Sequence, residues 1–405
     1  MARIPLFATL AALCMFACDA DEDLASELRS HPHHSHQGHP GDLGHHHGHH
    51  AKHQKPGKIG KKNAHIYPKK HWKRGAPEQQ CLSSEGLAEM AAVAEQTNST
   101  CLLVIRDGVL VGDWYWDGYN PNKALPDVWS VTKSVTSAGL GIAAGEGLLD
   151  LHESAANHIP QWRGTASEIV SIFDLVTHTS GRKWDFFSDF AVFEEDDQTA
   201  YSLSFEQERD PGSRWDYSNV GTQSLEEALE NATGGDFEDY LRAKLFEPIG
   251  MTATMSRDAA GNPRIYTGLS ATCPDLARFG YLVLREGRWE GRQVVPKAWI
   301  EESTSPSTEL NDAYGYLWWL NNPGRVVLPS APERAEFDGK MLPSAPDHMV
   351  MAFGAFGQMI AIDPKDEIVI VRTTLDYDMS DPMGLGDMDA ILAALEDAKL
   401  DATCE

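Results

Sequence analysis

Residues 128–137 read VWSVTKSVTS, with Lys133 three places after Ser130 in a run of small and apolar side chains. On a helix that spacing puts the two side chains on one face, about a turn apart. Ser130 then sits at the helix start, where backbone N–H groups have no partner within the helix. A lysine on a surface helix has polar neighbours, whereas this one is flanked by Val131, Val135 and Ala138. The segment runs on as SAGLGIAAGEGLLDL to residue 151. Its glycines lower local propensity, so contacts on all sides must hold the helix.

Upstream, CLLVIRDGVLVGDWYW (101–116) carries Asp107-Gly108 between two β-rich runs, the mark of a hairpin. Before it, SEGLAEMAAVAEQ (84–96) has apolar residues at helical spacing. Downstream, residues 153–325 are mostly helical patterns broken by Gly and Pro, among them 222–234, 237–251 and 274–287. The period then turns strand-like in HMVMAF (348–353), QMIAIDP (358–364) and EIVIVRTT (367–374). The last two runs meet at the turn Pro364-Lys365-Asp366, and a final helix is expected over 387–400. Strands at both ends with helices between imply an α/β (α+β) fold. One antiparallel sheet is flanked by the terminal helices and carries a large helical insertion on its other face. The sheet region is expected at about 77–150 and 326–405, the helical region at 151–325, with a cleft at their junction.

A lone Ser-x-x-Lys is weak evidence. Two further elements follow it: Tyr217-Ser218-Asn219 inside PGSRWDYSN (211–219), and GAFGQ (354–358) in a turn between two expected strands. Three elements in this order resemble the layout of the penicillin-recognising serine hydrolases. LVTHTSG (175–181), LFEPIGM (245–251), DLARFGYLVLREGRWEGRQVVP (275–296) and YGYLWW (314–319) extend the likeness over about residues 84–375. The chain thus resembles the β-lactamase-related serine hydrolases: class C β-lactamases, D-alanyl-D-alanine carboxypeptidases, family VIII esterases and 6-aminohexanoate-dimer hydrolases.

The resemblance implies a β-lactamase/transpeptidase-like fold, with Ser130 as nucleophile, Lys133 as its base and Tyr217 as proton shuttle. It implies that Asn219 orients Lys133 and the substrate amide. An oxyanion would be held by the N–H of Ser130 and, with Gly354 aligned on the glycine of the third motif, by that of Ala355. A slip of one or two residues moves the second donor to Phe356 or Gly357. His178 belongs to a structural turn in such proteins. Trp318 and Trp319 wall the cleft or fill the core, and the acidic run 194–197 reads as a solvated loop. The third motif departs from the best-known members: Ala352 and Phe353 stand where a lysine and a threonine hold a substrate carboxylate. An apolar third motif and THTSGRKWDFFSD (177–189) look more like the esterase and 6-aminohexanoate-dimer branch. The expected activity is cleavage of esters or linear amides through a Ser130 acyl-enzyme, with neither cofactor nor catalytic metal. The alternatives are a weak β-lactamase or D-Ala-D-Ala carboxypeptidase-like enzyme, and a metal-binding surface lipoprotein with a vestigial hydrolase fold.

The 405-residue chain has 42% apolar residues and a formal charge of −26. From residue 76 onward there are 23 basic and 54 acidic residues, a net of −31, which excludes nucleic acid or an anionic membrane as the main partner of the folded part. Residues 1–17 have one Arg and a short apolar run, and MFAC ending at Cys18 resembles a lipobox. An exported protein, periplasmic or at the cell surface, is expected, anchored to a membrane only through lipid on Cys18 or cleaved nearby. Residues 19–76 are expected to form a disordered His- and Lys-rich linker with affinity for divalent metal, the folded domain starting at 77. Cys81, Cys101, Cys273 and Cys404 permit three disulfide pairings, among which the sequence does not choose.

Overall fold

The computed structural model describes residues 65–123, 127–329, 334–375 and 381–400. Seven strands form the central sheet: β1 (Lys73–Arg74), β2 (Ser99–Arg106), β3 (Val109–Tyr115), β4 (Trp319–Leu320), β5 (Val350–Gly354), β6 (Gln358–Asp363) and β7 (Ile368–Thr374), in the order β1-β3-β2-β7-β6-β5-β4. Only the short β1 runs parallel to its neighbour. The pairing of β7 with β2 closes the sheet across the whole length of the chain. Asp107-Gly108 makes the tight turn between β2 and β3, both residues having positive φ.

Alternation along these strands explains both layers. In β2, Leu102 and Val104 face one layer and Cys101, Leu103 and Ile105 the other; in β7 the same split puts Ile368 and Ile370 against Val369 and Val371. Both faces are covered, so the strands read as continuous apolar runs. One face packs on α1 (Ser84–Gln96) and α6 (Leu385–Ala398) through Leu87, Met90, Ile391 and Leu395. The other packs on α2 (Val131–Gly145) and α5 (Cys273–Leu284), with the helical region beyond them. Within that region lie α3 (Phe186–Ala191) and α4 (Asn219–Thr233). A disulfide joins Cys101 on β2 to Cys273 at the start of α5, a bridge that belongs to one of the three pairings the sequence left open.

Two boundaries differ from expectation. β4 lies at 319–320, inside the stretch assigned to the helical region. The folded part also begins before residue 77. Trp72 is buried, Tyr67 packs edge-on against Tyr281, and Arg278 donates to the carbonyl oxygens of Pro68 and Lys69. Two aromatic anchors, one buried guanidinium and the pairing of β1 with β3 hold a segment whose composition reads as linker. The signal-like run, Cys18, the His-rich segment and Cys404 lie outside the described residues. Among the described residues no group of three or more His, Cys, Asp or Glu is placed to hold a metal ion, and no helix is long and apolar enough to cross a membrane. A chain starting at Pro77 should therefore be less stable than one starting at His65 by about 3 kcal/mol or more, the usual loss on removing a buried Trp. Urea unfolding of the two truncated chains measures the difference; equal midpoints would show that residues 65–76 add nothing.

Candidate active site

The three sequence elements converge. Lys133 Nζ, in the first turn of α2, lies 2.9 Å from Ser130 Oγ, 2.8 Å from Asn219 Oδ1 and 3.0 Å from the carbonyl oxygen of Tyr266. The Tyr217 hydroxyl is near enough to the Ser130 side chain for the serine to offset part of the effect of burial on it, and its ring centroid is 4.8 Å from Lys133 Nζ. Burial lowers the Lys133 pKa to about 7, against the partial support of the Asp189 and Asp127 carboxylates. Burial raises that of Tyr217, which stays protonated at neutral pH.

Each group is fixed by a second set of contacts. α2 is buried around its circumference from Val131 to Ala143, and two of its polar side chains tie it to neighbouring backbone: Ser134 Oγ donates to Leu317 O at 2.8 Å and Thr136 Oγ1 to Ile265 O at 2.7 Å. Gln223 holds the same 263–266 loop, donating to Pro263 O and accepting from the Ile265 N–H. That loop presents the Tyr266 carbonyl to Lys133. The Tyr217 ring stacks on Trp319 at 5.6 Å and lies tilted against His178 at 4.9 Å, and its carbonyl accepts from Trp184 Nε1 at 2.8 Å.

His178 does not reach the serine. Its Nδ1 accepts from the Ser218 N–H at 3.3 Å, so Nε2 carries the proton toward Tyr314 Oη at 3.0 Å, and burial keeps the ring neutral. It is a prop for Tyr217. Trp318 is buried against Phe279, while Trp319 carries Tyr217.

The third motif sits against the first. A Cβ on Gly354 would meet Val128 O at 2.4 Å, so only glycine lets β5 approach the strand-like segment before Ser130. The Phe356 N–H donates to Pro382 O at 2.9 Å, which removes Phe356 as an oxyanion donor. Among the described residues no backbone carbonyl takes the N–H of Ala355 or of Ser130. Ala352 is fully buried, and Phe353 lies in the layer that also holds Tyr217 and Trp215, so neither presents a charged or polar group to a substrate. The glutamine of GAFGQ is structural: Gln358 Nε2 donates to Thr374 O at 2.8 Å.

A sequence model of the β-lactamase family matches residues 86–388. The chain belongs to the β-lactamase family. Over 321 residues this β-lactamase-family hydrolase is 22% identical to the 6-aminohexanoate-dimer hydrolase of Paenarthrobacter ureafaciens, covering 71% of this chain and 75% of that protein. Among solved structures it resembles a candidate 6-aminohexanoate-dimer hydrolase from Bacillus anthracis, with a TM-score of 0.65, 19% identity and coverage of 83% and 90% of the two chains. It also resembles a penicillin-binding protein homologue from Caulobacter crescentus, with a TM-score of 0.58, 14% identity and coverage of 78% and 98%. These likenesses agree with the α/β sheet and helical insert described above.

Two contributors carry no motif. The Tyr266 carbonyl is a backbone group, for which sequence has no signature. Asp189, in α3, is fully buried; it accepts from Ser218 Oγ at 2.9 Å, Asn219 N–H at 3.0 Å and Val220 N–H at 3.1 Å. It caps α4 and is the foremost anion acting on Lys133. An acid in an otherwise aromatic run, FFSDFAVF, was its one sequence signal. Replacing it by Asn removes the charge that favours the ammonium form of Lys133. The Lys133 pKa should then fall, and any activity that needs the neutral amine should gain its acidic limb at lower pH. Stability should drop by about 1 kcal/mol or more as three donors lose a charged acceptor. A pH–rate profile of Asp189→Asn whose acidic limb moves upward or stays in place would refute the coupling.

Proposed function

We propose that the protein cleaves esters or linear amides through an acyl-enzyme on Ser130. The observation that carries this reading is the set of three partners around Lys133 Nζ. A neutral amine offers two N–H donors and one lone pair. Asn219 Oδ1 and Tyr266 O can only accept, so they take the two N–H groups and leave the lone pair for the Ser130 hydroxyl. Lys133 withdraws that proton as Oγ bonds to the substrate carbonyl carbon. The oxyanion is held by the N–H groups of Ser130 and Ala355. The proton passes through the Tyr217 hydroxyl to the leaving alcohol or amine as the acyl bond breaks. Water, activated by the same Lys133–Tyr217 pair, then releases the acid and restores Ser130. No cofactor enters.

The family resemblance supports a carboxylate-independent substrate. Ala352 and Phe353 are buried, and at the third motif they offer no cation such as holds a β-lactam carboxylate. We also infer that the protein is exported, because a buried disulfide such as Cys101–Cys273 persists in oxidising compartments.

A serine-directed fluorophosphonate should label Ser130 with one adduct per chain. Ser130→Ala should lower kcat by about 10⁴-fold or more with the fold intact. Because Lys133 acts as a base only when neutral, kcat/KM should rise with pH through about 7, the value to which burial lowers Lys133. An adduct on another serine, or a rate falling through that window, defeats the assignment. A cephalosporin turned over faster than a butyrate ester would show that the third motif does bind carboxylates.

A further inference from the structure

A row of aromatic side chains runs away from the candidate nucleophile. Trp129 immediately precedes Ser130, and its ring lies 5.4 Å from Phe356 on the third-motif turn and 6.1 Å from Phe193. Phe193 continues to Phe190 at 6.0 Å, Phe190 to Phe186 at 4.4 Å, and Phe186 to Phe187 at 5.8 Å. Phe193 also meets Tyr266, whose carbonyl binds Lys133, at 5.1 Å.

Among the described residues these rings lie outside both layers that flank the sheet; Phe186 is buried, and Phe193 packs on a small separate cluster of Val192, Val220 and Tyr266. Trp129, Phe190, Phe193 and Phe356 are half-buried, and Phe187 is 48% exposed. Around the buried Phe186, the half-buried faces of its neighbours and the exposed Phe187 make an apolar strip on which an apolar group gains by losing contact with water. The position of the strip says which group. One end touches the residue next to Ser130, and the other lies on α3, whose Asp189 caps the second motif. Directly after Phe193 come Glu194, Glu195, Asp196 and Asp197, all exposed. An ionised carboxylate laid along these rings would lose its hydration and meet these acids.

We propose that Trp129, Phe193, Phe190, Phe186 and Phe187 form the acyl subsite of this enzyme, and that it takes an extended apolar acyl chain with no negative charge at its far end. The inference rests on the acyl-enzyme reading above and adds to it the shape and charge of the group transferred to Ser130. Apolar burial along a half-open wall makes kcat/KM grow with each methylene that reaches the rings.

The test measures kcat/KM for nitrophenyl acetate, butyrate, hexanoate and octanoate, and for the nitrophenyl monoester of adipic acid. Each preparation is first titrated with a small fluorophosphonate. From acetate to octanoate the constant should rise by about tenfold or more. The adipate monoester should be at least about tenfold slower than hexanoate. Phe190→Ala and Phe187→Glu should each reduce the octanoate-to-acetate ratio severalfold. Phe187 is exposed, so its variant folds and keeps the test open if Phe190→Ala does not. A series of alkyl acetates, lengthened on the alcohol side, should show no comparable rise. Stoichiometric labelling with a flat acyl series, with ratios unchanged in both variants, or with length dependence only in the alcohol overturns the acyl subsite. Failure to label overturns the serine hydrolase reading instead.

Discussion

The burial of one amino group organises the rest of the structure. Lys133 is 1% exposed, and a charged ammonium there would lack the hydration it has in water. The fold answers with acceptors from two separate elements, Asn219 at the start of α4 and the Tyr266 carbonyl on the 263–266 loop. That loop is itself anchored by Thr136 from α2 and Gln223 from α4. The helix bearing Ser130 and Lys133 therefore cannot shift without breaking contacts on two sides. Its glycine- and alanine-rich sequence permits the close packing this requires and explains why local propensity was not needed.

The wall opposite Lys133 is made by strained backbone. Trp129 and Phe356 both have positive φ, 51° and 63°, an uncommon conformation for bulky residues. Such a residue costs about 1–3 kcal/mol and persists only when its surroundings over-determine it. Here they do. The Asp127 carboxylate accepts from the Trp129 N–H at 2.6 Å, and the Phe356 N–H is held by Pro382. Arg372, 1% exposed, donates to Gly357 O at 2.8 Å, to Thr97 O at 2.6 Å and to Ser99 Oγ at 2.9 Å, tying the third-motif turn to β2 and the chain before it. A Cβ on Gly357 would lie 1.7 Å from that guanidinium. The two turned residues leave the N–H groups of Ser130 and Ala355 without backbone partners.

What could be read from the sequence follows from what each feature demands of residue type. Helix 84–96 and the strands near 101–116 and 358–374 depend on apolar periodicity, and they lie where that periodicity puts them. Ser130, Lys133, Tyr217 and Asn219 were legible because their motifs keep short spacings and the residues meet in space. The Tyr266 carbonyl was not, since any residue supplies one. Arg372 and Asp189 were hidden because a buried charge is recognised by its partners, which are distant in sequence. Residues 65–76 were misjudged because two aromatics among lysines give no period, although Tyr67 and Trp72 each find a pocket edge beside Tyr281.

Lys133 and Asp189 are pushed toward each other by the same cause. Burial lowers the lysine to about 7 and raises the aspartate to about 6. Such a pair releases protons as a unit, and which member ends up neutral depends on what else each one touches. Asp189 accepts three hydrogen bonds, two of them from N–H groups in the first turn of α4, where the helix dipole also favours an anion. Lys133 has only neutral acceptors and a hydroxyl within reach. The anion is the better supported partner, so the proton that leaves near neutral pH is the lysine's. The aspartate thus does two opposed things. It lends the ammonium enough support to exist in the interior after proton uptake, and it remains charged when the amine turns basic. The mechanism proposed above, in which the site takes a proton from a serine and hands it on, requires both states to be accessible, and a single carboxylate capping the start of α4 supports both.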